Sequence, residues 1–246
     1  ARDGRFEPGE TRRLALFVPE TQKILVCGET LRDTFFIEKA LNPDPESPAA
    51  AVRSVEARDL NADDVESADV IVLSGVRSLP SGICRILSSA VIGRGAGLVV
   101  FPPLEGDPIL YADGIFRDLY PASVEKNVTF DPKQGSAYID WFNFGHPIFR
   151  DISEHGEFRK PAVNAYLHLA PRGNISVIAR FAGGAPALGS AVSGKGRVAV
   201  FSFDASPESS DLPLTGLFLP LLVRSVQFVS GEAFSGGHYE AGDPLR

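Results

Sequence analysis

The chain contains no methionine, two cysteines and one tryptophan. Without methionine it cannot begin at its own initiator, so we expect a processed product or a piece of a longer protein. Cys27 and Cys84 are too few and too isolated for a disulfide framework or a zinc knuckle. Two readings remain for them: a pair of small buried hydrophobes, or one disulfide between them. Long apolar runs are missing as well. The best candidate, 212–229, is interrupted by Pro213, Pro220, Arg224 and Gln227, short of the ~18 to 20 uninterrupted residues that span a bilayer. No basic segment followed by an apolar one marks a leader, so any targeting signal is expected outside these residues. Positive charge is not in excess either, with 24 Lys and Arg against 31 Asp and Glu for a net charge of −7. That balance argues against nucleic acid or an anionic membrane surface as a partner of this domain.

What is present is ordinary globular material: 246 residues, 44% hydrophobic and 22% charged, enough for one large core. Residues 23–27 (KILVC) form a short apolar run stopped by Gly28, and 34–41 has helical spacing with Thr30 or Asp33 as its cap. After a Pro-rich breaker at 42–48 come a second strand at 52–57, a short acidic helical turn at 61–66 and a buried strand at 70–74. A helix over 79–92, opened by Pro80, precedes another strand at 97–101. Strands apolar on both faces and separated by helices predict an open, mostly parallel α/β sheet covered on each side. From 102 to about 171 no clean period survives among many aromatics, and this stretch reads as an insertion packed on the sheet. Strands return at 175–181, 187–192 and 197–203, and the spacing of Leu217, Leu221, Ser225 and Val229 predicts a last helix ending at Gly231. We therefore expect residues 1–20 to end a preceding β-rich module, 21–231 to form the α/β domain, and 232–246 to be a linker or the start of a following β-rich module.

Few motifs carry chemistry. Gly93, Gly95 and Gly97 follow a helix and precede a strand, the reverse of a phosphate loop, and read as a helix exit. Asp59, Asn61 and Asp63 match the start of a calcium loop, but Asp64 and Val70 stand where Gly and Glu are required, so a helix cap is expected there. No histidine or cysteine has metal-ligand spacing, and no metal or cofactor is expected. His146 is held in a turn by Gly145 and Pro147 after an aromatic cluster. In a parallel sheet, ligands bind beyond the carboxyl ends of the strands. Residues just past the predicted strands make a candidate ligand or partner edge of Glu29, Arg32, Arg77, Glu105, Asp107 and Asp204, with His146 as a further candidate. No Cys or Ser there sits in a Gly-x-Cys-x-Gly or Gly-x-Ser-x-Gly elbow, so no catalytic residue is assigned.

The run Gly97-Leu98-Val99-Val100-Phe101-Pro102, then Gly145-His146-Pro147-Ile148-Phe149, Gly194-Lys195-Gly196-Arg197-Val198 and Ser210-Asp211-Leu212-Pro213-Leu214 leading into Phe218-Leu219-Pro220-Leu221-Leu222, resembles a class I glutamine amidotransferase-like domain. More narrowly it is similar to the domain of bacterial BatA-type membrane proteins associated with aerotolerance, over about residues 21 to 231. The resemblance implies a flavodoxin-like sheet, membrane helices outside these residues, an extracytoplasmic (periplasmic) position, and partners among the proteins of a membrane-associated complex. Where an amidotransferase carries its cysteine elbow, this chain has Phe101-Pro102-Pro103, and prolines cannot supply amides to an oxyanion hole. The expected function is a non-catalytic scaffold, interaction or ligand-sensing domain. The alternative is a ThuA-like or hydrolase-like enzyme using Glu29, Glu105, Asp107 or His146 on a sugar-like or other small substrate.

Overall fold

The computed structural model describes residues 21–43, 50–104, 117–131, 135–150, 152 and 159–231. Both flanking segments, together with Glu105 and Asp107, lie outside the described residues. Strands β1 (Lys23–Gly28), β2 (Ala51–Glu56), β3 (Val70–Ser74), β4 (Gly97–Phe101) and β11 (Gly196–Phe201) run parallel in the order β2-β1-β3-β4-β11. The sheet continues antiparallel through β10 (Pro186–Ser193), β9 (Ser176–Phe181), β6 (Ala137–Phe142) and β7 (Ala162–Val163). A separate ladder pairs β5 (Ala122–Thr129) with β8 (Ala165–Pro171). The expected α/β sheet is present, but it is mixed: parallel in one half and antiparallel in the other. Among the described residues, the stretch read as a packed insertion holds four of the eleven strands, and two of these extend the main sheet.

Alternation along the parallel strands builds two cores. Ile24, Val26, Val70, Val72, Val99, Phe101, Ala199 and Phe201 face helices α1 (Leu31–Leu41) and α4 (Phe218–Ser230). Leu25, Cys27, Ile71, Leu73, Leu98, Val100, Val198 and Val200 face α2 (Ala62–Ser67), α3 (Ser81–Ser89) and the β5/β8 ladder. Because both faces of β1, β3 and β4 are covered, these three strands are almost wholly apolar, which is why they were visible as short unbroken runs.

The helices begin and end where local chemistry dictates. At α1 the Asp33 carboxylate reaches back to accept from the Thr30 N–H (2.8 Å) and hydroxyl (2.9 Å), making Thr30 the cap. Asn61 caps α2 by accepting from the Asp64 N–H (3.1 Å), and Asp64 is ion-paired with Arg53 at 2.5 Å. Those bonds occupy Asn61 and Asp64 within the stretch that resembled a calcium loop. Helix α3 widens into a π-turn (Ala90–Arg94) that Gly95 closes at φ 91°, so the glycine cluster is the helix exit it was expected to be. A Cβ on Gly97 would lie 2.8 Å from the Val229 backbone, so glycine is what lets α4 lie directly on β4. Cys27 is buried and Cys84 half-buried, and both are free thiols rather than a disulfide. Burial pushes the Cys27 thiol up to about 12 and makes it inert. No helix among the described residues is long and apolar enough to cross a membrane.

Candidate functional site

Strand order reverses between β1 and β3, since β1 is followed by β2 on one side and β3 lies on the other. The loops leaving these two strands therefore part around a crevice at the carboxyl edge. Gly28 starts the first loop, and a Cβ there would stand 2.5 Å from the Thr30 carbonyl oxygen. The second loop begins at Gly75, whose φ of 64° turns the chain past the Asp33 side chain. The two loops are tied together. The Arg77 backbone N–H donates to Glu29 Oε2 (2.9 Å), and the Ser74 hydroxyl donates to the Asp33 carbonyl (2.9 Å).

The loop after β11 completes the edge. Asp204 Oδ1 accepts from the Ser206 N–H (2.8 Å), and the Ser206 hydroxyl accepts from the Glu208 N–H (3.1 Å). Asp204 is half-buried, and its carboxyl is pushed up to about 6. Desolvation is the main cause, hydrogen bonds from Ser206 and Ser209 oppose it, and the negative charges of Asp33 and Glu208 add to it. Arg32 reaches across from α1 to Glu208 at 2.6 Å. The edge thus joins Glu29, Arg32 and Asp33 from one loop, Arg77 from the second, and Asp204 and Glu208 from the third.

Arg32 and Glu208 are 83% and 73% exposed, so their ion pair holds little of the fold together. Arg32→Glu is expected to shift the thermal midpoint by no more than a few degrees, corresponding to about 1 kcal/mol or less. Circular dichroism melts check this, and a midpoint lowered by roughly 10 °C or more would make the pair a structural clamp.

His146 is not part of this edge. Its Nδ1 accepts from the Ile148 N–H (3.3 Å), its Nε2 lies 3.4 Å from the Ser190 hydroxyl, and its ring packs 4.8 Å from Phe228. The Phe228 carbonyl in turn accepts from Arg197, near the amino end of β11. His146 therefore sits under the far end of α4, where burial holds its pKa below the ordinary histidine value. Asp33 was legible only as a cap, and its place beside Asp204 depends on how the loops after β1 and β11 meet.

At the exit of β4, Phe101 and Pro102 are buried and Pro103 follows, so two successive residues lack an N–H. Among the described residues no cluster of three or more His, Cys, Asp or Glu could hold a metal ion. An open groove of about 820 Å³ lies elsewhere, along α3 between Glu66, Arg85, Ile86 and Arg94. It borders none of the carboxyl-edge loops.

No protein-family model matches the chain, and no curated protein matches it by sequence. Solved structures do match its fold. A cytoplasmic protein from Salmonella typhimurium LT2 is 17% identical, with TM-score 0.67 over 85% of this chain and 99% of its own. A ThuA-like protein from Bacteroides uniformis is 13% identical, with TM-score 0.64 over 90% of this chain and 97% of its own. A β-galactosidase from Bacillus circulans is 12% identical, with TM-score 0.55 over 84% of this chain but only 31% of its own. The chain therefore has the class I glutamine amidotransferase-like, flavodoxin-like fold of ThuA-like proteins.

Proposed function

We propose that this domain recognises a ligand or partner at its carboxyl edge and has no nucleophile of its own. The observation that carries this reading is the exit of β4, where Phe101-Pro102-Pro103 offers neither a thiol nor a hydroxyl nor a second amide donor. The sequence resemblance to BatA-type proteins supports the finer reading of an extracytoplasmic module of a bacterial membrane protein, working within a membrane-associated complex. Purified protein is expected to hydrolyse neither glutamine nor simple esters above buffer rates, followed by ammonia release and chromogenic assay. Turnover accompanied by stoichiometric labelling of Cys27 or Cys84 with an electrophilic glutamine analogue would sink it. For the finer reading, the full-length protein in its native host should lose this domain to protease added to spheroplasts, and protection there would place the domain in the cytoplasm.

A second reading has its own support. Asp204, with a pKa of about 6 beside Asp33 and Glu208, is the kind of carboxyl pair that performs acid-base work on a small substrate, and ThuA-like structural neighbours favour an enzyme of that class. Hydrolysis of chromogenic glycosides that is abolished by Asp204→Asn would select it over the first.

A further inference from the structure

The open groove of about 820 Å³ runs along α3 beside α2, on the opposite face of the sheet from α1 and α4. One side of α3 forms its wall: Gly82, Arg85, Ile86 and Ser89 follow one another at helical spacings of three and four. The groove is open because its ends are small. Nothing lies within 4 Å of where a Cβ on Gly82, or on Gly93 beyond α3, would stand. Ile86 is half-buried against the core and supplies an apolar floor. Arg94 reaches this side only through the π-turn (Ala90–Arg94). An unbroken α-helix would carry it, about two and a half turns past Arg85, to the opposite side of the axis. The looser winding swings it toward α2 instead, where its Nη2 donates to the Val65 carbonyl (3.0 Å). Glu66, the next residue of α2, lines the same groove.

These charges do not satisfy one another. Exposed arginines elsewhere are paired, Arg32 with Glu208, Arg58 with Glu56 and Arg159 with Asp211. Among the described residues, Arg85 and Glu66 make no ion pair or side-chain hydrogen bond, and Arg94 is pinned through one nitrogen, leaving the rest of its fork to the groove. Two guanidiniums and one carboxylate therefore share a cleft of the size that takes small ligands, with no ion pair closed across it. Each guanidinium matches a carboxylate or a phosphate through parallel N–H donors. Glu66 beside Arg94 repels a doubly charged phosphate and favours an ammonium. Arg85 and Arg94 stand about 13 Å apart along the helix, too far for one amino acid to bridge and close to the span of about three extended residues. Charge along the whole length, with Ile86 alone between, is also unlike the apolar centre of a protein interface. The complementary ligand is short, carries two acids and has one ammonium at the end nearer α2.

We propose that the α2/α3 groove binds short acidic peptides with a free amino terminus, about three residues long, independently of the carboxyl edge. The terminal ammonium pairs with Glu66 and the first acidic side chain with Arg94. The carboxylates at the other end pair with Arg85, and the aliphatic stems lie on Ile86. The probes are triglutamate, N-acetyl-triglutamate, free L-glutamate and inorganic phosphate, each titrated into the chain by calorimetry. Triglutamate is expected to bind with a dissociation constant of about 0.1 to 1 mM, and each of the other three about fivefold or more weaker. Arg85→Gln should weaken triglutamate by about fivefold or more. Glu66→Gln should erase the preference for triglutamate over its acetylated form. Both side chains are exposed and hold nothing in the fold, so unchanged circular dichroism separates lost binding from lost folding. Arg172→Ala, an exposed arginine outside the groove, should change nothing. Absence of heat with triglutamate at ~10 mM would overturn the proposal. Affinity no higher for triglutamate than for glutamate or phosphate would overturn it too, leaving a site for any small anion. So would an unchanged affinity in Arg85→Gln, or a preference for the free amino terminus that survives Glu66→Gln.

Discussion

Asp204→Asn is expected to make the protein more stable at pH 7, by about 1 to 3 kcal/mol, and to leave its stability at pH 4 nearly unchanged. Burial pushes the carboxyl up to about 6 in the fold from the ordinary aspartate value of 3.8, so the folded state holds this proton more tightly than the unfolded chain does. Stability contributed by the protonated form is fully present below about pH 4 and is lost as pH rises through about 6. Above that, the fold carries a half-buried carboxylate beside Asp33 and Glu208. The difference between 3.8 and about 6 corresponds to roughly 3 kcal/mol, which partial exposure reduces. Asparagine has nearly the same shape and keeps an oxygen to accept from the Ser206 N–H, so the substitution removes charge with little change in packing. Urea unfolding at pH 4, 5, 6 and 7 would show the variant and parent curves diverging across that window. A variant less stable than the parent at pH 7 would mean that the carboxylate is compensated by groups around it, and Asp204 would then be an ordinary structural acid. The predicted sign matters for function, because a destabilising charge kept at a crevice is what a recognition or acid-base role requires.

How far the sequence reveals this depends on which physical signal each part carries. Strands β1, β3 and β4 are buried on both faces and read as unbroken apolar runs, and Gly231, at φ 74°, ends α4 where the pattern stopped. Glu29, Arg32 and Asp204 were legible as edge residues because any residue just past a parallel strand goes to that end. Of the antiparallel half, β9 and β10 were legible as strands, and β6 and β7 were not. Strand β5 keeps only Ala122 buried, β7 is two residues long, and the bulge at Asp140 breaks the alternation of β6. The turn at Gly194 and Lys195 joins β10 to β11 as a hairpin, with Gly194 at φ 58° packed against Ile92, and it runs β10 antiparallel to the parallel half.

Phe201→Ala is expected to cost about 3 to 5 kcal/mol and to normalise Asp204 at the same time. Val200 of β11 lies beside Val100 of β4, so Phe201 and Phe101 are neighbours one step further on, with rings stacked 4.2 Å apart at 11°. Both are 1% exposed or less, and Phe203 meets Phe201 edge-on at 5.9 Å. These three rings form the floor beneath the loop that carries Asp204. Removing the central ring leaves a cavity that neither strand can collapse into, because each is held by parallel partners on a sheet covered on both faces. Where the variant still folds, water admitted under the loop relieves the desolvation that raises Asp204, and its carboxyl should titrate closer to the ordinary aspartate range. Urea denaturation measures the first effect, and carbon-13 NMR of the Asp204 carboxyl measures the second. A loss below ~1 kcal/mol would show that the stacked rings are not central to the core. A large loss with Asp204 still titrating at about 6 would instead show that the loop, rather than the ring floor, keeps water from the carboxyl.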